Sequence, residues 1–91
     1  MMRGDLDAAG AAYRRGLEIN QALAAMDRAD VNAQRDLSTS HAKLAGLARA
    51  RGDSDAARVS YRAALTIAQR TYGMDAVALD LRDRLRSIDS A

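Results

Sequence analysis

An all-α fold is what this sequence predicts, on three observations. Ala, Leu and Arg, all strong helix formers, dominate, while proline is absent and β-branched residues are scarce. Apolar residues recur at spacings of three and four along most of the chain, the helical period. Polar or Gly–Asp stretches interrupt that period three times, which leaves four helices joined by short connections. Short connections make neighbouring helices antiparallel.

The spacing of Leu6, Ala9, Tyr13, Leu17, Asn20 and Leu23 predicts the first helix, over Leu6–Met26. Asp5 stands where an N-cap belongs, and Asp7 adds negative charge to the first turn. The polar stretch Asp27–Asn32 breaks the period. A second helix is expected over Ala33–Arg51, with Leu37, His41, Leu44 and Ala48 on one stripe. It stops at Gly52, which accepts positive φ without strain. Asp53 caps a third helix over Ser54–Thr71, whose inner stripe is Ala57, Tyr61, Ala64, Leu65 and Ala68. Gly73 ends it, and Asp75 caps the last helix, Ala76–Asp89, with Ala78, Leu81, Leu85 and Ile88 inward. On its outer face Asp80 and Arg84 form an i,i+4 pair. No helix is apolar all round, so each must bury one stripe against a neighbour.

With 91 residues, the chain fits one small domain near the lower limit for a self-sufficient core. Its apolar content of 48% is mostly alanine, with three Tyr and no Phe or Trp, so the core should be thin and spread along helix seams. The net charge is only +2, with Arg and Asp interspersed, which suggests a solvated surface and not a nucleic-acid footprint. With no cysteine there is no thiolate nucleophile, disulfide or zinc knuckle. The longest apolar run, Ala22 to Met26, falls far short of the roughly 20 residues that span a bilayer. Without a segment resembling a secretory signal, the expected location is the cytoplasm.

An internal repeat organises the chain. "RGDLDAAGAAYRRGLEI" at Arg3 returns as "RGDSDAARVSYRAALTI" at Arg51, matching Gly4 to Gly52, Tyr13 to Tyr61, Leu17 to Leu65 and Ile19 to Ile67, each 48 positions apart. The repeat reads each "RGD" as a turn, with Gly ending one helix and Asp capping the next. That use of Asp argues against an adhesion tripeptide, which needs a flexible extracellular loop.

Helix–turn–helix units with a Gly–Asp turn and an Ala-x-x-x-Tyr step resemble the tetratricopeptide family. In the one complete unit His41 stands at the family's Trp position, Leu44 at Leu, and Ala45 and Ala48 at Gly and Tyr. Ala57 and Tyr61 supply the Ala-x-x-x-Phe step, and Gln69 replaces the Pro. The 48-residue spacing also departs from the standard repeat of about 34. "ALTIAQRTYGMDAVALDLRDRL" further looks like the long repeats of kinesin-light-chain type, with a Gly-x-Asp turn between units. The resemblance divides the single domain, residues 1–91, into three parts. Residues 5–28 form the second half of one repeat, 32–72 a full repeat, and 75–91 the first helix of another or a capping helix. Such a piece is expected to belong to a longer array or to be completed by self-association, since repeats bury their faces on neighbours.

The resemblance implies a non-catalytic scaffold or adaptor module, binding a peptide or helix of a protein partner. In this family the first helix of each unit lines a concave groove. Carried over, the groove positions are Thr39, Ala42, Lys43, Gly46 and Arg49, then Asp83, Arg86 and Ser87. Lys43, Arg49 and Arg86 would make the face mildly cationic. The two leading positions of the family's Lys–Asn carboxylate clamp fall on Ala42 and Gly46, so that activity is not implied. The first helix also carries a second apolar set, Ala12, Ile19 and Met26. A preceding helix would cover it in a full repeat, so pairing with a second copy as a two-fold dimer is expected. A helical homodimerisation or regulatory bundle, or a nucleic-acid-binding helical domain, are the alternative functions.

No enzyme is expected. The single His41 has no nucleophile or carboxylate at a recognisable spacing and reads as a half-buried packing residue. One His among scattered Asp makes no metal site, and no cofactor is expected. Gly10, Gly16 and Gly46 lack the strand, Lys and spacing of a phosphate loop, and close helix contact is the expected reason for them.

Overall fold

Four α-helices follow in order: α1 (Arg3–Met26), α2 (Val31–Ala50), α3 (Ser54–Tyr72) and α4 (Ala76–Ser90). The computed structural model describes residues 3–90; Met1, Met2 and Ala91, which the domain reading takes in, lie outside them. Three aspartates start three of these helices. The Asp30 carboxylate accepts from the backbone N–H of Asn32 (3.0 Å) and Ala33 (3.2 Å). Asp53 accepts from Ala56 and Asp75 from Ala78, both at 3.0 Å. Each satisfies donors that a helix start leaves open, a contribution of about 1 kcal/mol. Gly52 (φ 78°) and Gly73 (φ 74°) turn the chain out of α2 and α3 through the left-handed region.

The first "RGD" departs from that expectation. Asp5 is not an N-cap: α1 already includes Arg3, and Gly4 and Asp5 are helical. Only Gly52 of the two equivalent glycines takes positive φ. The difference is physical at Gly52, where the chain must reverse from α2 into α3 and a positive φ makes the turn. The second helix also starts earlier than its apolar spacing indicates, because Asp30 caps it.

Side-chain contacts give the direction of each helix. Between α1 and α2, Asp7 meets Arg51, Gly10 meets Leu47 and Asn20 meets Ser40, so numbers rise on one helix as they fall on the other. Ser38 with Ala64 and Arg35 with Tyr72 do the same for α2 and α3. Arg58 with Asp89 joins the start of α3 to the end of α4. Each helix therefore runs antiparallel to its chain neighbour, and α2 and α4 run parallel, with α3 packed on both.

The core lies on α3. Ala57, Tyr61, Ala64 and Ala68 are buried with Ala45 of α2 and with Ala78, Leu81, Leu85 and Ile88 of α4. The inner stripe of α4 is the one its spacing predicts. That of α2 is not: Leu37, His41, Leu44 and Ala48 are only half-buried, while Ser38, Ser40, Ala45 and Leu47 are buried. The reason is that α2 has neighbours on two sides. Ser38 donates to the Ala64 carbonyl of α3 (2.9 Å), while Ser40 accepts from Asn20 of α1 (2.7 Å). Residues two apart are about 200° round a helix from one another, so these serines point to opposite partners. The apolar stripe lies in the wedge between them.

Two further expectations are corrected. Leu23 is 50% exposed, and Ala24 takes the buried place on α1 at 4%. Close contact explains Gly10 but not Gly16 or Gly46. A Cβ on Gly10 would stand 3.1 Å from Leu47 Cδ2, whereas one on Gly16 or Gly46 would meet nothing within 4 Å. Gly46→Ala should therefore stabilise the fold by about 0.5–1 kcal/mol through helix propensity alone. Gly10→Ala should gain less, because Leu47 must yield. Urea denaturation midpoints check this; a lower midpoint for Gly46→Ala would show that the glycine is needed there.

Candidate interaction surface

The residues that the sequence assigns to a groove sit on α2 and α4. Thr39, Lys43, Gly46 and Arg49 are exposed on α2, and Ala42 is half-buried against the core. Thr39, Lys43 and Gly46 stand at i, i+4 and i+7 and share one flank. On α4, Asp83, Arg86 and Ser87 are exposed and likewise share a face, at i, i+3 and i+4. The two helices are joined where Arg49 Nη2 donates to Ser87 Oγ at 2.7 Å. The structure thus brings Arg49 and Ser87 together. Lys43 does not join them: six positions from Arg49, it is turned about 120° round the helix toward the open flank.

Charges order the neighbourhood of this bridge. Arg84 donates to Asp80 at 2.8 Å, and its pKa is raised above the usual arginine value, first by the Asp80 bond and next by the Tyr61 hydroxyl. At the other edge Arg58 donates to Asp89 (2.7 Å) and Asp55 (3.0 Å). The Asp89 bond is the largest cause of its raised pKa. Both arginines are permanently charged; Arg58 ties the start of α3 to the end of α4, while the Arg84–Asp80 pair lies within α4. Arg35 and Tyr72 are residues that sequence reading did not single out. Arg35 Nε donates to the Tyr72 hydroxyl at 2.8 Å, and its guanidinium carbon lies 5.3 Å from the ring centroid. The pair is 37 positions apart in sequence, beyond any helical spacing that could have announced it.

His41 is half-buried, and that burial lowers its pKa below 6.5, so it is neutral at pH 7. Among the described residues no hydrogen bond joins it to a carboxylate or hydroxyl. Nor do any three His, Asp or Glu side chains gather there as metal ligands would. Comparisons with family models, with curated proteins and with solved structures gave no match to this chain.

A cleft of about 490 Å³ lies elsewhere, between α1, α2 and α3. Gln21, Arg28, Gln34, Leu37, Arg70 and Thr71 are among its lining, and none of the groove residues is. Ala12, Ile19 and Met26, which the sequence reading assigns to self-association, are all exposed on α1, Ile19 at 54% and Met26 at 82%. Among the described helices none is long and apolar enough to cross a membrane.

Proposed function

We propose that this protein is a non-catalytic, tetratricopeptide-like interaction module of the cytoplasm that binds an acidic peptide or the acidic face of a partner helix. The observation that supports this reading is the pairing of α2 and α4, parallel helices on one α3, joined across their exposed sides by Arg49 and Ser87. That is the relation expected between the first helices of two successive repeats. Arg49 and Arg86 reach solvent on these two helices and Lys43 on the open flank of α2, with Asp83 the one carboxylate among the groove positions. Exposed cations of this kind set the specificity and rate of encounter more than the affinity.

Fluorescence anisotropy with a labelled Glu/Leu-rich peptide tests the reading. Binding should weaken as salt rises and fall several-fold in the double variant Lys43→Glu, Arg86→Glu. A matched Lys/Leu-rich peptide should not bind. Equal affinity of both peptides, or no loss in the double variant, would remove the groove from consideration. Tighter binding of duplex DNA than of the acidic peptide, with a steep salt dependence, would favour the nucleic-acid alternative instead.

A further inference from the structure

One side of α1, half-buried at Ala9 and Gly16 and exposed beyond them, carries a second regular pattern, independent of the α2–α4 groove. Ala9, Ala12, Gly16, Ile19, Leu23 and Met26 follow one another at alternating steps of three and four. This is the a/d spacing of a coiled-coil seam. The side that packs on α2 is a different one, through Gly10, Asn20 and Ala24. Ile19, Leu23 and Met26, at 54%, 50% and 82% exposed, leave the seam open to water.

Side-chain size decides what fits it. The first half of the seam is small (Ala9, Ala12, Gly16) and the second half is large (Ile19, Leu23, Met26). Two copies laid parallel would meet large on large at one end and leave a gap at the other. Laid antiparallel, Gly16 faces Ile19 of the second copy, Ala12 faces its Leu23 and Ala9 faces its Met26, so the helix axes keep an even separation. We infer that α1 is the interface of a two-fold antiparallel homodimer, in the register that places Gly16 opposite Ile19. The seam is about 26 Å long and one helix wide, so the buried area falls below the roughly 1,200 Å² of standard interfaces. The dimer is therefore weak and concentration-dependent.

The inference does not rest on peptide binding and is tested apart from it. In sedimentation velocity from micromolar to millimolar protein, the mass should rise from 9.8 kDa toward twice that value. Ile19→Glu, at an exposed position, should hold the chain monomeric with an unchanged helical circular dichroism spectrum. Because the chain has no cysteine, oxidative cross-linking reads the polarity directly. Ala12→Cys mixed with Leu23→Cys should cross-link, and Ala12→Cys alone should not. A monomer throughout the concentration range overturns the inference and leaves the seam to a different protein. Cross-linking of Ala12→Cys with itself overturns the antiparallel register.

Discussion

Tyr61→Ala should cost roughly 3–5 kcal/mol, the range for removing a fully buried aromatic side chain. Tyr61 is 2% exposed, at the centre of the cluster that joins α2, α3 and α4. Much of the rest of that cluster is alanine, and small side chains cannot collapse into the space the ring would leave. A domain of this size is stable by roughly 5–15 kcal/mol in all, so one substitution removes a large share. The melting temperature should fall by more than about 12 °C. The hydroxyl adds little to this loss, so Tyr61→Phe should stay near the parent. A melting temperature for Tyr61→Ala within a few degrees of the parent would show that the ring does not hold α4 in place.

Enlarging the core should be nearly as damaging as emptying it. Ala64 is 0% exposed, and Ser38 of α2 bonds to its carbonyl at 2.9 Å. That bond requires the backbone of α3 to lie within reach of a short side chain on α2. Ala64→Leu inserts three carbon atoms into this seam and must push the helices apart or force strained rotamers, at about 1–3 kcal/mol or more. Moving α2 also breaks the buried Ser38 bond, which places the expected loss at the upper end. Thr66→Leu, two residues away on the exposed side, makes a similar side chain at a harmless place and should stay within about 0.5 kcal/mol of the parent. Equal urea midpoints for the two variants would mean that the α2–α3 seam has room to spare.

These two substitutions also separate what the sequence by itself determined from what tertiary structure decided. Four helices, and two of their starts, were legible because caps are local. Asp53 and Asp75 act on N–H groups three residues away, and Gly52 and Gly73 need only a φ that other residues resist. The stripe of α4 was legible for a related reason: α4 packs on one chain neighbour, so one apolar period describes its burial. The tetratricopeptide resemblance singled out Arg49 and Ser87, but nothing in their spacing says that they touch.

Where a helix has two neighbours, or a glycine has a choice, the period no longer decides. On α2 it marks the wedge at Leu37, His41, Leu44 and Ala48, whereas burial falls on Ser38 and Ser40, which answer to α3 and α1 in opposite directions. The same "RGD" is helix at Gly4 and turn at Gly52, where the chain must reverse to bring α3 back onto α2. Gly10 is in close contact while Gly16 and Gly46 are not, since only Gly10 lies under Leu47. Arg35 reaches Tyr72 across 37 positions of sequence. Capping and propensity act within a turn of helix, over a few residues. Which face is covered depends on where the neighbouring helix axes run, and that is fixed only when all four helices pack together.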